Sequence, residues 1–157
     1  MPIDYIVASL PVLTFGQPAP IDWARFLEIT YGAGAALPPA WDDLETQLRN
    51  AAAEARGGGR FKRPAKGCAL YWQGRVTECF LEKDVAKRDE MLDKVLWDAA
   101  GELTPPGNPL GRGAIATYAV RLKIAIKRGM ISKDAGGAVF KRIAAGAATG
   151  PGGGAQG

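Results

Sequence analysis

The segment Ala114–Gly129, AIATYAVRLKIAIKRG, constrains this chain more than any other. At ~100° per residue, Ile115, Tyr118, Ala119, Leu122 and Ile126 line up as one helical stripe. Val120 and Ile124 fall on the opposite side, framed by Arg121, Lys123, Lys127 and Arg128. An ordinary surface helix has one apolar face. A second strip calls for either deep burial or a docked partner, and both readings stand at this level.

The other segments supply what such a helix needs around it. With 157 residues, 47% of them hydrophobic, the chain is long enough for one domain with a real core. Ile3–Ala8, IDYIVA, has the β-branched and aromatic content of a short N-terminal strand or an extended arm. A loop rich in Gly and Pro follows over Thr14–Pro20. Asp22 is a good N-cap, Ile21 and Phe26 stand at hydrophobic-staple positions, and Gly32 suits a left-handed helix end. Trp23, Phe26, Leu27 and Tyr31 would supply that helix's buried bulk.

Pro38-Pro39 leads into a helix over Trp41–Arg56, with Trp41, Leu44, Leu48, Ala51 and Ala55 on one face. Its acids come early and its arginines late, as the helix dipole favours. Gly57–Gly59 breaks it. Across Cys68–Gly101, Leu81, Val85, Leu92, Val95, Leu96 and Ala99 recur at helical steps. Gly74, Val76 and Thr77 put continuity before Phe80 in question. Thr104–Gly113, TPPGNPLGRG, is an elbow. A last pair is predicted, Ala114–Gly129 and, after a cap at Ser132, Lys133–Ala145. The fold class is mainly α: one compact helical domain over 1–145, then a disordered Gly-rich tail over 146–157, too poor in apolar bulk to offset its ordering entropy.

Composition narrows the chemistry. No apolar run approaches the ~20 residues of a membrane span, and the apolar N-terminus carries Asp4 without a basic leader. Cys68 and Cys79 read as reduced cytosolic thiols. On one continuous helix they would lie ~16 Å apart along its axis, too far for a disulfide. Histidine is absent, which removes the usual neutral-pH base and the commonest metal ligand. GGGR at Gly57–Arg60 lacks the phosphate-loop pattern, and so does GNPLGRG. In Glu82–Asp98, Asp84 should pair with Arg88 and Glu90 with Lys94 at i,i+4 on a solvated face. Asp89 and Asp93 lie one turn apart, but nothing marks them as an acid–base pair. The chain is read as non-enzymatic, with no catalytic, cofactor or metal residues assigned.

Charge is segregated. Residues 1–59 hold seven acidic and three basic side chains, whereas residues 60–157 hold nine acidic and seventeen basic. Within Arg112–Arg142, eight basic groups face a single acid, Asp134. Such polarity suits an acidic partner at the C-terminal end. Nucleic acid is one such surface, through Arg112–Arg142 and the run Arg60–Lys66, RFKRPAK, followed by LYWQGR. Tyr71 and Trp72, at a helix start, read as core instead. An acidic protein helix is the other surface.

Two ends of the chain carry a resemblance. The opening DYIVASLPVLTFGQPAPIDWARFLE, and later Arg88-Asp89, Leu96-Trp97-Asp98, then Ala116, Thr117, Tyr118, Ala119, Leu122, Lys123 and Ile124, with Gly137 and Phe140 beyond, resemble a bacterial family of unknown biochemical function. Its members are typically encoded among the subunits of V-type ATPases. The likeness covers most of residues 3–143 and is weaker across Gly32–Lys66. Arg121-Leu122-Lys123 departs from the family's plainer apolar-Lys-Leu order, and the PPGNPLGRG elbow and the Gly-rich tail also differ.

The resemblance implies a non-catalytic soluble subunit or assembly factor of that rotary machine. It would be cytoplasmic, peripheral to the membrane through the complex, and bound to V-type ATPase subunits. The residues expected to meet the partner are Val120, Arg121, Ile124, Lys127 and Arg128. The alternative is a basic, helical nucleic-acid-binding module.

Overall fold

A computed structural model of the chain describes residues 2–134 with their side chains. The side chains of the tail expected over 146–157 lie outside the described residues. The elements run α1 (Ile3–Ser9), α2 (Trp23–Ile29), α3 (Pro39–Ala55), α4 (Leu70–Cys79), α5 (Val85–Ala99) and α6 (Arg112–Ala155). Two short 3-10 turns, Gly59–Phe61 and Ala100–Leu103, join them. The mainly α fold class is thus what the structure has.

Among the described residues there is no strand, so the N-terminal strand is corrected to helix α1. A lone strand would leave its N–H and C=O groups without a ladder, whereas a helix pairs them within the segment. Helical winding also gathers Ile3, Ile6 and Val7 onto one face, and these three, with Leu10 just past the helix end, pack in the core beside α6.

Local signals hold in several places. Asp22 caps α2, accepting the Arg25 N–H at 2.7 Å, and Phe26 behind it is fully buried. The left-handed end of α2 begins one residue earlier than Gly32. Tyr31 takes φ 53°, Gly32 follows at 79°, and the Gly32 N–H closes onto the Leu27 carbonyl at 2.8 Å. Tyr31 is therefore exposed rather than part of the core. Trp41, Leu48 and Ala52 are the buried face of α3.

Helix α4 runs unbroken through Gly74, Val76 and Thr77. Val76 is buried, and the Thr77 hydroxyl donates back to the Gln73 carbonyl at 3.0 Å. The interruption comes afterwards, over Phe80–Asp84, where Asp84 caps α5 by accepting the Ala86 N–H at 3.0 Å. Asp84 is thus a cap with no ion pair to Arg88. Lys94 likewise turns away from Glu90 and meets Asp98 at 2.7 Å. Arg75 from α4 reaches the same carboxylate at 2.9 Å, so Asp98 offers Lys94 a partner already fixed between two helices. Burial pushes the Asp98 carboxyl up, but hydrogen bonds from Lys94 and Arg75 outweigh it and hold it below the usual carboxylate range.

No break occurs at Gly129–Ser132 either: α6 is continuous there. A single glycine weakens a helix by only about 1 kcal/mol, which a long helix absorbs. Its start is held tightly. A Cβ at Gly113 would come 2.1 Å from the Leu103 carbonyl oxygen, so the elbow closes onto the first turn of α6 only with glycine there.

Helix α6 is a partition between two clusters. On one side Ile115, Ala119 and Leu122 pack with Phe26 and Ile6. On the other, Val120, Ile124 and Ala125 pack with Trp41, Leu48, Val95 and Trp97.

Candidate docking site

The first strip of α6 is core, as its periodicity implies. Tyr118 stacks on Phe26 with ring centroids 5.4 Å apart, and its hydroxyl donates to the Pro11 carbonyl at 2.7 Å. Burial pushes its phenol up to about 12.

The second strip is core as well. Val120 and Ile124 are only 6% and 8% exposed, covered by the chain's own α3 and α5. This corrects their expected role as partner contacts: a surface already removed from water has almost no apolar area left to give a partner. Periodicity shows that a strip must be covered, not by which chain.

The three basic residues of the expected set also find partners within the chain. Arg121 lies over the Trp97 ring at 5.5 Å and its Nε donates to the Trp97 carbonyl at 2.9 Å. Burial lowers its pKa, offset in part by the Asp98 charge. Lys127 Nζ meets Asp93 Oδ1 at 2.6 Å, and Arg128 Nη1 meets Asp93 Oδ2 at 3.0 Å. Arg128 also reaches Asp89 Oδ2 at 3.2 Å. The Asp93 side chain is 4% exposed, so this is a buried carboxylate gripped by two cations from a neighbouring helix. Asp89 and Asp93 do come together, bridged by Arg128. The arrangement clamps α5 to α6.

Beyond that clamp the helix leaves the body. Every residue from Gly129 to Asp134 is exposed, with Met130 at 63% and Ile131 at 42%. Met130 stands four residues after Ile126, and Ile131 seven after Ile124. Both internal strips therefore run on past the cover that α1–α3 and α5 provide. The same 3.6-residue period that defines the strips extends to these two residues, and it was the signal that could have found them.

Among the described residues, the basic groups of Arg112–Lys133 do not share one face. Arg121, Lys127 and Arg128 turn to internal partners, and Lys123 lies over the Trp23 ring at 4.7 Å. In the other basic region Tyr71 is exposed rather than core, while Trp72 donates its indole N–H to Glu102 at 2.7 Å. Among the described residues, no group of three or more cysteine, aspartate or glutamate side chains has the arrangement to hold a metal ion. No helix among them is long and apolar enough to cross a membrane. The chain matches no family model, no curated protein and no solved structure.

Proposed function

We propose that this protein is a non-catalytic accessory subunit or assembly factor of a bacterial V-type ATPase, working on the cytoplasmic side by protein–protein docking. The observation that carries the docking part is the course of α6. Its first half is anchored by two apolar strips and the Asp93 clamp, and its continuation from Gly129 carries Met130 and Ile131 uncovered. The ATPase part rests on the sequence resemblance across both ends of the chain.

A helix held rigidly at its root and apolar beyond it is suited to pack against another helix. Burial of the two side chains supplies affinity at ~25 cal/mol per Å² before ordering costs. Lys133, with Lys141 and Arg142 further along the sequence, favours an acidic helix as partner, and such charges mainly set orientation and on-rate. The residues expected at the interface are accordingly Met130, Ile131 and Lys133.

The test is recovery of V-type ATPase subunits with the tagged full chain from its source cells. Co-purification should persist at ~0.5 M salt, because the contact is partly apolar. The double variant Met130→Asp/Ile131→Asp should lose it while keeping the native circular dichroism. Recovery without any V-type ATPase subunit, or an unaffected double variant, overturns the proposal.

A further inference from the structure

The loop between α3 and α4 is a strap stitched to α3 through its backbone. Asn50 accepts the Arg63 N–H at 2.8 Å and donates to the Arg63 carbonyl at 2.7 Å. Gln47 donates to the Lys66 carbonyl at 2.5 Å and accepts the Ala69 N–H at 2.6 Å, and Asp43 accepts the Lys66 N–H at 3.1 Å. Because α3 satisfies the strap's backbone, its side chains are left to face solvent.

What they present is specific. Phe61 is held 68% exposed, with the Arg60 guanidinium over its ring at 4.8 Å. The ring borders a cavity of about 420 Å³ whose other walls are Glu45, Thr46, Arg49, Asn50 and Arg63. Lys62 is paired with Glu54 at 2.6 Å, and Arg49 with Glu45 at 2.8 Å. Among the described residues Arg60, Arg63 and Lys66 have no carboxylate within ion-pair distance. An exposed aromatic ring is a poor surface on its own. Beside unpaired guanidiniums it becomes a stacking platform with phosphate-binding charge alongside.

We infer that the strap Gly59–Lys66 and the adjoining face of α3 form a binding site for single-stranded nucleic acid, with a base on Phe61 and backbone phosphates on Arg60, Arg63 and Lys66. The ring decides between acidic ligands. A carboxylate-rich peptide would use the cations and leave the phenyl idle, whereas a nucleotide uses both. Every base has a face that can stack on the Phe61 ring, so the site is sequence-tolerant. It is built from α3 and the strap, uses neither Met130 nor Ile131, and stands independently of the docking proposal.

The experiment is fluorescence anisotropy of the full chain with a labelled 12-nucleotide oligo-dT at 50 mM salt, with a 12-residue polyglutamate as competitor. Three phosphate contacts predict a fall of log K with log salt of slope about −2. Phe61→Ala should weaken binding roughly 5- to 100-fold. Arg63→Ala should flatten the slope by about 0.7. Both side chains are exposed and the strap is held by its backbone, so both variants should keep the parent melting temperature. Absence of binding at 50 mM salt overturns the inference. Equal displacement by polyglutamate with no effect of Phe61→Ala also overturns it, assigning the strap to an acidic protein.

Discussion

Lys127 Nζ lies 2.6 Å from Asp93 Oδ1, although the lysine side chain is half exposed and the aspartate is 4% exposed. The asymmetry predicts unequal mutants. Lys127→Ala leaves Arg128 on the carboxylate and should cost about 1 kcal/mol. The double variant Lys127→Ala/Arg128→Ala strands a buried charge and should cost about 3–5 kcal/mol, well beyond twice the single value. Urea unfolding of the variants measures this. A double-variant cost of only 2 kcal/mol would show that Asp93 reaches water without its partners.

Two isoleucines seven residues apart should respond in opposite ways to the same substitution. Ile124→Asp places a carboxylate among Trp41, Leu48 and Val95 and should cost at least 4 kcal/mol, enough to unfold a domain of ordinary stability. Ile131→Asp, beyond the body, should lie within about 0.5 kcal/mol of the parent. Thermal melts followed by circular dichroism separate them; equal destabilisation would mean that the second strip stays buried past Arg128.

Tyr31 occupies a left-handed conformation that costs an L-residue roughly 1–2 kcal/mol, and its ring is exposed, with little packing to lose. Tyr31→Gly relieves the strain but loosens the unfolded chain. The net expectation is a gain of about 0.5–1 kcal/mol, read as a higher melting temperature. A loss instead would show that the ring contributes contacts that its exposure hides.

The Tyr118 phenol is raised to about 12 from 10.0, so the folded state favours its neutral, hydrogen-bond-donating form. Its contribution to stability is fully present below pH 10 and is lost as pH rises from 10 through 12. Difference titration at 295 nm between the parent and Tyr118→Phe should show one ionisation near 12. In Tyr118→Phe the alkaline loss of stability over that interval should shrink, and an unchanged profile would mean that burial does not hold the phenol neutral.

Much of the helical plan is written locally. The Asp22 cap, the proline-rich elbow and the Trp41–Leu48 face each depend on residues within a few positions of one another, and each appears in the structure. Ile3–Ala8 is helical despite its β-branched content, because such content favours a strand only where another strand pairs with it. Gly129 does not end α6, because a glycine's helix penalty is small against a long anchored helix.

The sequence by itself determined that this chain is helical, where most helices begin, and that α6 carries two apolar strips. Only the tertiary structure decided what covers those strips. α3 and α5 close over Val120 and Ile124, while Met130 and Ile131 extend beyond them. It also decided that Lys94 answers Asp98 and that Lys127 and Arg128 answer Asp93. Periodicity is a property of neighbours along the chain. Cover and charge pairing depend on elements more than twenty residues away, whose approach is set by packing the whole core.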